Sequence, residues 1–262
     1  MTEPSRTGSP AAPEDGIADH SLAPGVRVAI TGRAGGVSAP PYDTLNLGRS
    51  VGDDPAAVAR NRGLLAAACG TQPSRITWMR QVHGNAVACV ATPPDGEPAN
   101  GSSPECDAVF TAEPGRLLSV LAADCAPVLL ADPEAGLVGA AHAGRAGMEA
   151  GVVPALIRAM TGAGADPARM RALIGPAVCG GCYDVPEELR ARVCSAVPEA
   201  YCVTRGGRPG LDITAGISAQ LGAAGIWHVQ RDERCTAESP ELYSHRRDRR
   251  TGRFAALIWL EP

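Results

Sequence analysis

The sequence predicts an α+β fold, one domain of mixed β-sheets flanked by helices. Three observations lead there. Short apolar runs crowd residues 108–141, helical patterns follow at 144–160, 186–197 and 212–224, and no linker-like break divides residues 25–262.

Residues 1–24 are rich in Pro, Ser, Gly, Ala and acid and read as a flexible tail, because so few apolar groups cannot offset the entropy of ordering. Val26 to Thr31 alternates enough for a strand, and Gly32 to Gly48, with Gly35-Gly36 and Pro40-Pro41, reads as loop. Asp53-Asp54-Pro55 opens a helix, since acid suits a helix start and Pro the first turn; Gly70 closes it. Ile76 to Met79 and Ala86 to Ala91 read as strands around Gln81-Val82-His83-Gly84, and Thr92 to Glu105 as a surface loop.

Four further strands are expected at Ala108–Thr111, Leu117–Leu121, Val128–Ala131 and Val138–Ala141, then a helix over Gly144–Met160 and a strand at Met170–Ile174. Pro186 to Val197 carries Glu187 and Glu188 at its start, where the helix dipole favours them. Asp212 is placed to cap a helix that Gly225 stops, and Ile226–Val229 and Phe254–Leu260 close the chain as strands.

Composition excludes several classes. The net charge of −4 argues against nucleic acid or an anionic membrane as partner. All 24 basic residues are arginine, which rules out a lysine Schiff base or a phosphate-loop lysine. No run has the length of a membrane span, and the first residues lack the pattern of an export signal. Nine cysteines then point to reduced thiols in the cytoplasm, and a monomer is the default expectation.

The chemistry centres on Ala123-Asp124-Cys125-Ala126-Pro127 and His142-Ala143-Gly144, each at the end of an apolar run, with His83 upstream. Two imidazoles and a thiolate suit zinc first and copper second; three protein ligands leave one position open, as in catalytic sites. A lone buried cysteine is ordinarily a small core residue. Here Asp124 beside it is costly unless paired or functional, and Gly144 and Gly84 leave room for a ligand. A second reading of the same atoms is a hydrolase, with Cys125 as nucleophile and His83 or His142 as base. Cys179-Gly180-Gly181-Cys182 is read as a tight glycine turn with two unlinked thiols ahead of a redox pair or half a zinc site, since Cys194 and Cys202 are badly spaced to supply the other half. In the basic run from Ser244 to Arg250, usually a solvated face, one arginine turned inward could grip phosphate; Arg80 is comparable.

Together these segments resemble the YfiH, or laccase-domain, family, also called polyphenol oxidoreductases. The likeness rests on the loop from Arg33 through Asn46-Leu47-Gly48, on Gln81-Val82-His83-Gly84, on Ala123 through Leu129, on His142-Ala143-Gly144, on Ile174-Gly175-Pro176-Ala177 with Cys182-Tyr183, and on Arg246-Arg247-Asp248 with Thr251-Gly252-Arg253. It implies a zinc site of His83, Cys125 and His142, and phosphorolysis of purine nucleosides to free base and ribose 1-phosphate. Methylthioadenosine cleavage and adenosine deamination are attributed to the same site, and copper-dependent phenol oxidation is the older proposal. Cys125, His83, His142 and Asp124 are then the catalytic candidates; Arg80, Asn46, Arg145 and Arg247 are those for substrate. The chain departs from the pattern at Arg145-Ala146, where the family has Trp-Arg, at Gly181, and at Glu238, where it has cysteine. Loss of turnover, leaving a scaffold, is the alternative the first departure allows.

Overall fold

The computed structural model describes residues 17–91 and 103–262; most of the expected tail and of the loop after Thr92 lies outside the described residues. In chain order the elements are β1 (Ile17–Ala23), β2 (Val26–Thr31), α1 (Pro55–Ala68), β3 (Ile76–Trp78), β4 (Val87–Cys89), β5 (Ala108–Thr111) and β6 (Leu117–Ala122). Then come β7 (Ala126–Asp132), β8 (Leu137–Ala143), α2 (Arg145–Glu149), α3 (Val152–Gly162), β9 (Arg171–Ile174) and α4 (Glu187–Ala196). The chain ends with β10 (Tyr201–Val203), β11 (Pro209–Leu211), α5 (Ile213–Ala223), β12 (His228–Arg231), α6 (His245–Asp248) and β13 (Phe254–Leu260).

Two mixed sheets carry the fold, ordered β1-β2-β13-β6-β3 and β12-β9-β7-β8-β5-β4. Their burial explains the apolar runs. In β13, Phe254, Ala256 and Ile258 pack between the sheets, whereas Ala255, Leu257 and Trp259 face Leu65 and Ala66 of α1. In β7, Leu129 and Ala131 join that inter-sheet core, whereas Val128 and Leu130 pack on Leu156 and Met160 of α3 and Ile217 of α5. Each sheet is thus covered on both faces, giving four layers: helix, sheet, sheet, helices. A strand buried on both sides has no polar face to alternate, so β7 and β8 are fully buried along their length.

Three expectations change. Residues 17–23, placed in the tail, form β1 and pair antiparallel with β2, because an edge strand takes its stability from a ladder that composition does not reveal. The helix expected over 144–160 is two, since Gly151 adopts φ 75° and breaks the run between α2 and α3. The short β10, β11 and α6 were not foreseen.

Helix starts follow the predicted logic. Asp54 accepts from the Ala56 N–H at 2.9 Å, and Asp212 from the Ala215 N–H at 2.8 Å. At the far end of β7, the buried Asp132 accepts from the N–H groups of Glu134, Ala135 and Asp166 and from Arg169. Burial alone would raise this carboxyl; Arg169 and the N–H groups outweigh it and hold it below the usual range. A lowered native pKa adds stability above the unfolded value, about 4, and loses it as pH falls through the native one. Asp132→Asn should therefore lower Tm by roughly 4–8 °C at pH 7, and the gap should close in acid below pH ~4; scanning calorimetry of both proteins against pH checks it.

Candidate active site

The three predicted donors come together where the chain passes from one sheet to the other. Cys125 lies in the crossing between β6 of the first sheet and β7 of the second; His83 lies in the crossing between β3 and β4. His142, near the end of β8, sits opposite Pro127 in the β7 ladder. The ligand atoms of His83, Cys125 and His142 all lie within 4.8 Å of one another, and the two imidazoles meet edge-on with centroids 4.7 Å apart. His142 is buried and His83 exposed, so the cluster opens to solvent on one side. Gly144 makes the approach possible: a Cβ there would lie 2.5 Å from the Cys125 sulfur.

An aspartate that the sequence did not single out organises this cluster. Asp107, fully buried ahead of β5, accepts from the N–H groups of Val82, His83 and Gly84 at 3.2, 2.9 and 2.7 Å. The same carboxylate meets His142 Nδ1 at 2.9 Å, leaving Nε2 as that ring's ligand atom. One carboxylate therefore fixes both histidines, and it gives His142 the partner that metal-binding imidazoles ordinarily have. Burial pushes the Asp107 carboxyl up; His142 and the backbone N–H groups outweigh it and hold it below its usual range. The signal was available: an acid abutting the apolar run Ala108 to Thr111 carries the cost that drew attention to Asp124.

The electrostatics favour a thiolate. Burial would raise the Cys125 thiol, yet the charge and hydrogen bond of His142, with help from His83, bring it down to about 6. Burial would likewise lower His142, and the Cys125 thiolate and Asp107 instead raise it. Both directions favour a thiolate beside an imidazolium, and a bound cation would take the place of the imidazolium proton. A thiolate, two imidazoles, one of them oriented by a carboxylate, and an uncrowded sulfur are a donor set that fits zinc.

Above the donors opens a cavity of about 740 Å³, within the range of small-molecule sites. Seven arginines line it: Arg49, Arg62, Arg80, Arg145, Arg246, Arg249 and Arg253. Several are already engaged. Arg62 binds the Leu47 carbonyl and stacks on Trp78 at 3.7 Å; Arg246 binds Asp184 and stacks on Tyr183. Arg145 pairs with Glu149, and Arg80 with Glu105 at the rim. Among the described residues, Arg49 and Arg249 show no hydrogen bond or ion pair from their exposed guanidinium groups.

Of the remaining predicted residues, Asp124 lines the cavity but is fully occupied. Its carboxylate accepts from Thr236 Oγ1, Ser244 Oγ and the Arg246 N–H at 2.6–2.7 Å, bonds that hold the residue at φ 105°. It is a positioning residue for Cys125 and α6. Asn46 and Arg247 do not line the cavity. Asn46 is buried and spent on Gly48, Asp53 and the Arg253 N–H. Arg247 turns inward to the carbonyls of Thr236, Ser239 and Leu242 and to Asp248. Arg246 in α6 and Arg249, just past its end at φ 61°, line the cavity instead. Met79 also lines the cavity, a thioether in a segment whose residue types point only to a buried strand end.

The family described as multi-copper polyphenol oxidoreductase laccase matches residues 27–261. A purine nucleoside phosphorylase of Streptomyces coelicolor is 53% identical over 245 residues, covering 94% of this chain and 100% of the relative. One of Mycobacterium bovis is 49% identical over 236 residues, covering 90% and 92%. Among solved structures, the hypothetical protein YfiH of Bacillus licheniformis superposes with a TM-score of 0.82 at 30% identity, covering 90% of this chain and 93% of that one. YlmD from Geobacillus stearothermophilus gives 0.83 at 33%, covering 91% and 93%.

Proposed function

This chain belongs to the multi-copper polyphenol oxidoreductase laccase family, and from that we propose that it is a metal-dependent purine nucleoside phosphorylase acting on adenosine, inosine and methylthioadenosine. The observation that carries the reading is the juxtaposition of the His83–Cys125–His142 donor set with a cavity walled by arginine. The names of its relatives point the same way.

In this reading a phosphate oxygen attacks ribose C1′ as the bond from C1′ to the purine nitrogen breaks. The electron pair leaves with the base, which takes a proton from solvent, and ribose 1-phosphate remains. Arg49 and Arg249, with Arg145 and Arg80 beside them, receive the phosphate; a guanidinium presents two parallel donors to it. The stacked pairs Arg62–Trp78 and Arg246–Tyr183 hold the side walls in place. His83, Cys125 and His142 would hold zinc, which supplies Lewis acidity and positive charge at the cavity floor, as adenosine deamination at the same site would also require. Nine free cysteines suit a reducing cytoplasm. No helix among the described residues is long and apolar enough to cross a membrane.

Arg249→Ala and Arg49→Ala should each raise KM for phosphate roughly 10-fold with a smaller change in KM for inosine. Unchanged phosphate dependence in both would remove the phosphate site from this wall. A second reading has its own support: Asp107, His142 and Cys125 in sequence also form a thiol nucleophile with an oriented base. Metal analysis of the native protein beside Cys125→Ala, both purified from untreated cells, separates them: metal lost with the sulfur belongs to the cavity, and its identity distinguishes zinc from the copper that a phenol oxidase would need.

A further inference from the structure

A second set of donors lies outside the cavity, on two turns built alike. Cys179-Gly180-Gly181-Cys182 closes with the Cys182 N–H on the Cys179 carbonyl at 2.9 Å; Cys235-Thr236-Ala237-Glu238 closes with the Glu238 N–H on the Cys235 carbonyl at 3.0 Å. Each turn therefore presents donors at its first and fourth positions. The turns face each other: Ala177 and Cys235 form a parallel bridge, the Thr236 N–H reaches the Ala177 carbonyl at 3.1 Å, and the Cys179 N–H reaches the Cys235 sulfur at 3.3 Å. As a result three sulfurs and a Glu238 carboxylate oxygen lie within 4.8 Å of one another.

We propose that Cys179, Cys182, Cys235 and Glu238 form a second metal site, which holds a zinc ion for structure rather than for turnover. Paired turns with donors three apart are how short loops build four-coordinate zinc sites, and a set with no open position is structural. Three thiolates select a soft or borderline ion over magnesium or calcium. Loading exchanges three thiol protons, released to solvent, for one dication. The bound set would carry two net negative charges. Arg205 offsets part of them: it pairs with Glu238 and donates to the Cys182 sulfur at 3.1 Å. Gly181 leaves it room, since a Cβ there would stand 3.2 Å from three Arg205 atoms. Each Glu238 oxygen can accept from Arg205 and still face the ion.

The pairing missing from the sequence is thus supplied by Cys235 and Glu238, more than 50 positions downstream, not by Cys194 or Cys202. The ion would staple two segments that back the cavity: Val178 and Tyr183 line it, and Thr236 holds Asp124. The site stands whatever reaction the cavity performs.

The test uses full-length Cys125→Ala, in which the first donor set is broken, purified without chelator and without added metal. It should hold about one zinc per chain by elemental analysis, and a strong chelator should lower its Tm by roughly 10 °C. Adding Cys182→Ser should abolish both the zinc and the chelator response. Glu238→Cys in the same background completes four thiolates and should slow zinc removal at least 10-fold. Folded Cys125→Ala without zinc, a disulfide joining two of the three cysteines in fresh protein, or unchanged zinc release from Glu238→Cys would each overturn the proposal.

Discussion

Cys125→Ala should strip the cavity floor of its metal and lower nucleoside turnover roughly 100-fold or more, with the fold intact. The sulfur is the one anionic donor of the three, and two neutral imidazoles hold a divalent ion far less tightly. The change removes only a sulfur at the cavity floor, and the neighbouring strands β6 and β7 are anchored by their own ladders. Tm should therefore fall by no more than a few degrees. Turnover under saturating phosphate and scanning calorimetry on the same preparation check both halves. Full activity in this variant would remove the cluster from the chemistry.

Asp107→Asn should have the largest effect of any substitution that touches no substrate. The carboxylate accepts four N–H groups in a fully buried position. An amide offers one oxygen and turns an NH2 group against donors it cannot satisfy. Orphaned buried donors cost about 1–3 kcal/mol each, so a Tm loss of roughly 5–10 °C is expected. Both histidines lose their anchor, so zinc affinity should fall about 10- to 100-fold in a competition titration. A variant with weakened stability and unchanged affinity would make Asp107 a fold residue alone.

Much of this site is legible in the sequence because its donors sit in strongly patterned segments. Cys125 and His142 terminate apolar runs that can only be buried strands, and Gly84 and Gly144 mark the space beside them. What the sequence hides is arrangement. Arg49 and Arg249 stand 200 positions apart and share a wall only because α6 returns to the loop before α1. A run such as Arg246-Arg247 gives no face to choose by, and a single helical turn sends Arg247 inward and Arg246 outward. Asp107 abuts the apolar run Ala108 to Thr111, which hints at its cost, but that one carboxylate joins both histidine segments shows only in the fold. Asp124 stands out in the sequence as an expensive acid, and its cost is met by Thr236, Ser244 and the Arg246 backbone from the far end of the chain.

The same limits apply to the fold. The doubly buried β7, β8 and β13 announce themselves by continuous apolar sequence, whereas β1 depends on its neighbour's ladder and β10 and β11 span three residues each. Elements that short carry no periodicity to read.

The most direct measurement is the fate of inosine incubated with zinc-loaded protein, with and without phosphate, followed by counting both products. Release of hypoxanthine only when phosphate is present, matched one for one by ribose 1-phosphate, is the predicted result. Hypoxanthine released at the same rate without phosphate, or no release from protein carrying its full zinc, would contradict it.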